Sequence, residues 1–209
     1  MTRTGNKLGF MRCLLVTAVA AMSVGALAPA LSAQAGDAVL LVAQRQFLHP
    51  LYGASIVLAK PIGNRQHMGF ILNKPTSIAL RDAMPPDQLS PKVNESLYLG
   101  GPFNLGIIFA LVNQPDSPGR DSIEFADDLY LATDRSTVQR IAAAEPDHAR
   151  FFLGIVLWRP GELEAELKRG LWHVRAPQAH VVLRKDTAGL WEELVRQSEQ
   201  DAYFRGHGI

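Results

Sequence analysis

Three glutamates at alternating positions after a proline are the first residues in this chain that could do chemistry. Glu162, Glu164 and Glu166 follow Pro160, which favours the first turn of a helix. A group of carboxylates can act as general acid and base or bind a cation. Acidic side chains in a first turn also complement the positive end of the helix dipole. This structural role explains Glu162 and Glu164 without a ligand, and we favour it.

The six histidines are the second candidates, because imidazole is a common base and metal ligand. They are His49, His67, His148, His173, His180 and His207. No two of them have the spacing of a zinc-binding pair, and the single cysteine, Cys13, lies near the N-terminus. The sequence therefore predicts no metal and no cofactor. An enzyme hypothesis remains open, with Glu162, Glu164 or His49 as acid or base.

The glycine and serine motifs match no known catalytic or nucleotide-binding pattern. Gly53-Ala54-Ser55 lacks the G-x-S-x-G of a nucleophile elbow. Gly100-Gly101-Pro102 matches neither a Walker loop nor G-x-G-x-x-G. Gly100 and Gly101 could let a ligand approach the backbone, but a turn with positive φ is the simpler interpretation. Trp158 and Trp172 are large side chains, and tryptophans more often pack in the hydrophobic core than form a binding platform.

Residues 1–35 have the three parts of a cleavable signal peptide. Basic side chains at Arg3, Lys7 and Arg12 precede an apolar run from Cys13 to Leu27, and Ala33-Gln34-Ala35 follows. We expect cleavage after Ala35 and a periplasmic or secreted protein without a membrane span. An uncleaved N-terminal anchor is the alternative, although the run is short for a bilayer.

Removal of this leader changes the charge of the protein. The full chain has 21 basic and 20 acidic side chains; three basic and no acidic ones lie in the leader, so the mature domain keeps 18 against 20, a formal charge of −2. A near-neutral domain lacks the basic footprint of a nucleic-acid-binding protein, so nucleic acid is an unlikely partner class. The mature domain also lacks cysteine and has no thiol chemistry.

The pattern of apolar runs alternates short strands with a few helices. The predicted strands are Ala38–Ala43, Ser55–Ala59, Met68–Leu72, Ser96–Leu99, Ile107–Val112, Leu129–Ala132, Phe151–Trp158, Leu171–Arg175 and His180–Arg184. The second and third strands form a hairpin with a longer loop, and the run at 151–158 suits a strand buried on both faces. We predict an α+β fold: one compact domain, residues 36–209, with mixed, mostly antiparallel coiled sheets and several flanking helices.

Four helices are expected between these strands. One begins at a Ser77 cap and ends at Met84 before Pro85-Pro86, and a second follows an Asp134 cap. A third runs from Pro160 to Gly170, with an outer pair between Glu164 and Lys168. The last places Leu190, Trp191, Leu194 and Val195 on one face, and we expect its tail from residue 201 to fray.

Five segments taken together resemble the YqgE/AlgH family. They are Leu40–Ala43 with His49-Pro50-Leu51-Tyr52, then Gly69–Pro75, Tyr98–Pro102, Gly154–Trp158 and Gly161–Glu166. The family usually has Asp where His49 stands, Arg where Lys74 stands and Gln where Glu162 stands, so this chain resembles a divergent, exported branch. The resemblance implies a compact α+β fold with coiled, partly split sheets, no helix-turn-helix and no established activity.

The leading hypothesis is an exported binding or interaction module without catalysis, whose partner is an envelope protein or a small ligand. We expect a shared groove formed where strands end, which is where sites usually lie. Its candidate residues are Asn73, Lys74, Gly100, Gly101, Trp158, Glu162 and Glu164. Two alternatives stay open: a hydrolase-like enzyme, and a cytosolic transcriptional regulator if the protein is not exported. The oligomeric state is not predicted.

Overall fold

A computed structural model describes residues 37–84, 95–126, 128–144 and 146–208 of the chain. The predicted leader and the predicted helix stop at Pro85-Pro86 lie outside these residues. The described residues belong to one compact unit, Ala33–Ile209. No helix among them is long and apolar enough to cross a membrane.

The described residues form ten strands and five α-helices. The strands are β1 Val39–Ala43, β2 Ile56–Gly63, β3 Gln66–Ile71, β4 Pro75–Ala79, β5 Ser96–Leu99, β6 Phe103–Asn113, β7 Ile123–Ala126, β8 Leu129–Ala132, β9 Ala149–Trp158 and β10 Trp172–Arg175. The helices are α1 Leu80–Ala83, α2 Arg135–Ala144, α3 Glu162–Lys168, α4 Ala179–Val182 and α5 Leu190–His207, and a 3₁₀ turn spans Pro146–His148. The predicted α+β fold is confirmed.

One curled sheet connects the strands in the order β10-β1-β2-β3-β9-β6-β8-β7, and β4 pairs with β5 beside it. All the pairings are antiparallel except that of β5 with β9. Both faces of the sheet carry apolar side chains into buried clusters. Leu163 of α3 covers one of these clusters, and Leu190, Leu194 and Val195 of α5 cover another. Helices on both faces therefore hold the central strands away from water.

Strand β9 is the centre of the sheet, as its apolar run predicts. Its first half pairs with β6 and, in parallel, with β5; its last three residues, Val156–Trp158, pair with β3. Between these halves Gly154 has a left-handed backbone, with φ +71. A side chain at this position would meet the carbonyl oxygens of Gly101 and Phe103 at 2.5 and 2.7 Å. Glycine is therefore required where β9 passes from one half of the sheet to the other.

A buried arginine fixes the start of β9 to three other segments. Arg150 is completely buried, and its guanidinium donates to the carbonyl of Val182 at 2.8 Å and to the carbonyl of Leu72. Its Cζ atom also lies 3.9 Å from the centre of the Tyr98 ring. Burial lowers the pKa of Arg150 to about 10, so the group stays charged at neutral pH. A charge without water must be held by such dipoles and rings.

Two predicted elements in the first half of the chain were wrong. The loop between β2 and β3 is a tight turn at Asn64-Arg65, both with positive φ, and not a longer loop. Pro61 lies within β2. Proline is tolerated at this position because β1 pairs with β2 only as far as Ala59, so that no described strand pairs with Pro61 on the side away from β3. Ser77 caps no helix: it lies in β4, and Ala79 precedes α1 without a side-chain cap.

Three predictions in the second half were also wrong. The segment predicted as a strand at 180–184 contains the short helix α4, whose Val182 carbonyl accepts from Arg150. Helix α5 continues to His207 and does not fray at Asp201, which pairs with Arg175. Glu164 pairs with Arg65 and not with Lys168. The Asp134 cap is confirmed, because its Oδ1 accepts the Thr137 N–H at 3.0 Å.

We expect Gly154→Ala to lower the free energy of unfolding by at least about 2 kcal/mol, because positive φ and a carbonyl clash act together. Gly170→Ala is the matched control, since Gly170 has φ +65 but no atom within 4 Å of the added methyl group. The control should lose only about 1 kcal/mol. Urea unfolding of both variants measures the difference. Equal losses would show that the contact with the carbonyl oxygens adds no cost to that of the positive φ.

A candidate ligand groove at the end of strand β9

A groove of about 490 Å³ lies where β9 ends, beside the β2–β3 hairpin, the start of β6 and the start of α3. Its apolar lining consists of Ile62, Pro102, Phe103, Leu157 and Trp158, and its polar lining of Tyr52, Gln66, Arg159 and Glu162. A volume of this size is in the usual range for small-ligand sites, roughly 300–1,000 Å³. The groove is therefore a candidate binding site in the described part of the chain.

Three large apolar side chains stand exposed in the groove. Ile62 is 47% exposed, Phe103 is 48% exposed and Leu157 is 37% exposed. They come from β2, β6 and β9, and the curl of the sheet brings them into one depression. Single exposed apolar residues are ordinary, but a contiguous apolar patch with a polar rim is typical of an interaction site.

Hydrogen bonds fix the turn between β9 and α3 at one end of the groove. An oxygen of Glu162, Oε2, accepts the backbone N–H of Arg159 at 2.9 Å. This bond closes the turn before α3, in which Gly161, with φ +80, immediately precedes the helix. Glu162 therefore has a structural role in the turn, and Arg159 is held at the rim.

A single carboxylate holds the two tryptophans behind the groove. Oε2 of Glu166 accepts from Nε1 of Trp158 at 3.1 Å and from Nε1 of Trp172 at 2.8 Å. Both indoles are buried, with 5% and 4% of their surface exposed. Buried indole N–H groups need an acceptor, and Glu166 supplies it for both. Trp158 is therefore a fixed wall of the groove.

Tyr52 forms another wall, and the loop before it is held by an imidazole. Nδ1 of His49 accepts the backbone N–H groups of Leu51 and Tyr52 at 3.1 and 3.2 Å. The rings of His49 and Tyr52 lie 4.9 Å apart. Burial raises the pKa of Tyr52, and the nearby Glu166 and Glu162 raise it further. The Tyr52 hydroxyl is therefore neutral at physiological pH and can donate a hydrogen bond.

Glu164 and His67 face each other across α3 and β3 but lie outside the groove lining. Glu164 forms an ion pair with Arg65 at 3.4 Å, and its other oxygen is buried without a partner. Nδ1 of His67 is also buried without a partner. Burial lowers the pKa of His67, while the Glu164 carboxylate opposes this effect. Glu164 therefore supports the helix that carries Glu162.

Asn73 and Lys74, predicted as groove residues, do not line this groove. The Asn73 side chain accepts the N–H of Ile56 at 2.9 Å and donates to the carbonyl of Ala54 at 2.8 Å. The carbonyl of Lys74 accepts the N–H of Leu99 at 2.8 Å. Both residues thus contribute to joining strands, and Asn73 sets where β2 begins.

Gly100 and Gly101 pack against β9 and do not face a ligand. A methyl group at Gly100 would collide with the carbonyl of Gly154, and one at Gly101 would collide with the backbone of Ile155. Both are buried. Their role is to let two strands approach closely, and they place Pro102 and Phe103 at the edge of the groove.

Of the residues proposed from the sequence, Trp158 and Glu162 lie in the lining of this groove, and their role in binding stays a prediction. Tyr52, Phe103, Leu157 and Arg159 also line it but were not singled out from the sequence. The sequence contains one signal for Phe103: apolar residues alternate at 103, 105 and 107, and all three are exposed. In the described residues no group of three or more His, Cys, Asp or Glu side chains could hold a metal.

A curled, mostly antiparallel sheet with helices on both faces places the domain in the α+β class. The profile of the AlgH-like family, DUF179, matches residues 40–203, so the chain belongs to this family. The resemblance seen in the five sequence segments is confirmed.

Two relatives and two solved structures agree with this assignment. UPF0301 proteins of Cytophaga hutchinsonii and Cronobacter sakazakii are each 27% identical over 165 residues, which cover 78% and 75% of this chain and 89% and 88% of theirs. A crystal structure from Corynebacterium diphtheriae has a TM-score of 0.64 at 20% identity and covers 78% of this chain and 87% of its own. The solution structure of AlgH from Pseudomonas aeruginosa has a TM-score of 0.57 at 19% identity, with coverage of 82% and 88%. These likenesses support the fold.

We expect acid to destabilise the folded domain through His67 and His173. Burial lowers the pKa of both imidazoles in the folded chain, whereas an imidazole in an unfolded chain titrates near pH 6.5. The unfolded state therefore binds more protons as the pH falls below about 6.5, and the free energy of unfolding decreases there. Urea unfolding at a series of pH values measures the slope. It should be shallower in His67→Gln, and an unchanged slope would contradict the role of His67.

Proposed function

We propose that this protein is an exported binding module whose ligand occupies the groove at the end of β9. The observation that supports this most directly is the groove itself, where Ile62, Phe103 and Leu157 stand exposed in a depression of about 490 Å³. Apolar surface of this kind gains about 25 cal/mol for each Å² that a ligand removes from water. An envelope protein segment or a small amphipathic molecule has the chemistry to fill it.

The polar lining supports a ligand with an apolar body and a polar group at one end. Arg159 supplies a guanidinium at the rim, and Tyr52 supplies a neutral hydroxyl. A few placed polar groups in an apolar site commonly orient a ligand. The carboxylates nearby are already engaged: Glu162 accepts a backbone N–H, and Glu166 accepts two indole N–H groups. These bonds favour recognition by a rigid surface over acid-base work.

Export is the second part of the proposal, and the sequence supports it. The signal-peptide pattern occupies residues 1–35, and the match to the family begins at residue 40. The leader pattern thus precedes the shared domain and does not overlap it. An exported domain without cysteine needs no disulfide, because its core is large enough to fold alone.

We expect the mature protein to begin at Gly36 and to be found in the periplasm of its host. Intact mass and cell fractionation measure this. Ala35→Pro should block cleavage, because the last residue before the cut must be small, whereas Gln34→Glu should not, because that position is not restricted. A full-length cytosolic protein would contradict export and leave the groove proposal to be tested separately.

We expect the purified mature domain to bind the apolar fluorescent dye anilinonaphthalene sulfonate in the groove. Leu157→Asp should weaken this binding at least about tenfold, because it places a negative charge in the apolar lining and repels the sulfonate of the dye. Val174→Asp is the matched control, since Val174 is an apolar residue of β10 that is 41% exposed and does not line the groove. It should change the affinity by less than about twofold. Titration followed by fluorescence gives both values, and equal losses would rule out the groove.

A further inference from the structure

We propose that protonation of His49 opens one wall of the groove, so that ligand binding is controlled by pH. This inference rests on the proposed function, because it concerns the regulation of the same site. It starts from two hydrogen bonds of the His49 ring: Nδ1 accepts the backbone N–H groups of Leu51 and Tyr52, at 3.1 and 3.2 Å.

The chemistry of these two bonds requires one form of the ring. A neutral imidazole has one nitrogen that carries hydrogen and one that accepts. Because Nδ1 accepts here, the hydrogen of the neutral ring lies on Nε2. When a proton from solvent binds Nδ1, its lone pair becomes an N–H bond, and the N–H groups of Leu51 and Tyr52 lose their acceptor. His49 is exposed, so solvent protons reach it directly.

Tyr52 connects this event to the groove. Its ring lies 4.9 Å from the His49 ring and 6.5 Å from the Trp172 ring, and it lines the groove. The turn is also held by the Gly53 N–H, which bonds to the His49 carbonyl at 2.7 Å, and this bond does not depend on protonation. Acid therefore releases one anchor of Tyr52 and leaves the loop in place. The wall loosens without unfolding of the domain.

Other titratable groups lie near this loop, and each is a possible source of a pH response that must be distinguished from His49. Tyr52 lines the groove, and Glu166 and Glu162 of α3 raise the pKa of its hydroxyl beyond the effect of burial. Phenols and carboxylates generally titrate outside the imidazole range. His173 of β10 follows Trp172 in the chain, and burial lowers its pKa. The test must therefore separate His49 from His173 and also from His67.

The experiment compares dye binding to the mature domain at about pH 7.5 and about pH 5.5, on either side of the usual imidazole pKa. The sulfonate of anilinonaphthalene sulfonate keeps its charge across this range. We expect the unaltered domain to bind about three- to tenfold more weakly in acid, which is the equivalent of one or two lost hydrogen bonds. His49→Asp should change by less than about twofold, because a carboxylate accepts the same two N–H groups and stays ionised.

His148→Asp is the matched control: His148 is an exposed histidine in the 3₁₀ turn that does not line the groove, and this variant should keep the full pH response. Should His49→Asp fold poorly by circular dichroism, His49→Asn supplies a neutral acceptor for the same test. Hydrogen exchange gives an independent measurement. The Leu51 and Tyr52 amides should lose protection in acid in the unaltered domain, whereas they should keep it in the His49 variants.

The possible outcomes separate the two proposals. If both His49 variants lose dye affinity in acid as the unaltered domain does, and the two amides stay protected, protonation of His49 does not control the groove. If the dye binds Leu157→Asp as well as the unaltered domain at about pH 7.5, the groove is not the site and the proposed function fails, whatever the amides of Leu51 and Tyr52 show.

Discussion

Strand β9 can pair with three other strands because its backbone turns at Gly154. The left-handed φ of +71 redirects the strand, and the missing side chains at Gly100 and Gly101 let β5 and β6 approach its backbone. On one side of this crossing lie β3, β2, β1 and β10, and on the other lie β6, β8 and β7. The two halves of the sheet thus share a single strand, and a side chain at any of the three glycines would separate them.

The groove is a consequence of the same crossing. Beyond Gly154, Leu157 and Trp158 point to opposite faces of the strand, since successive residues alternate. Both nevertheless line one groove, because the ladder of β3 and β9 ends at the pair His67–Trp158 and the chain turns into α3. The end of the sheet thus leaves apolar side chains of both faces without cover. Glu166 fixes the indole from behind, so that the groove keeps its shape.

Local patterns in the sequence predict those elements that are determined by their own apolar runs and capping residues. The strands β1, β5, β8 and β9, the Asp134 cap and the buried stripe of α5 follow from apolar runs and capping residues alone. The predictions fail where a distant partner decides. Val182 is in a helix whose carbonyl meets Arg150, which is 32 residues away, and Ser77 is in a strand because β5 pairs with β4. The groove shows the same limit: Phe103 and Leu157 have the apolar character of core residues, but in the curled sheet no described residue covers them fully.

The position of His49 shows how one residue can combine a structural role with a chemical one. The resemblance to the family implies Asp at this position, and an aspartate side chain commonly accepts backbone N–H groups two and three residues later. His49 accepts the same two N–H groups through Nδ1. Histidine in place of aspartate therefore preserves the turn, but its acceptor becomes an imidazole nitrogen, which stops accepting when it binds a proton. Because Tyr52 belongs both to this turn and to the groove, the replacement makes the wall of the groove respond to protons without altering the fold that carries it.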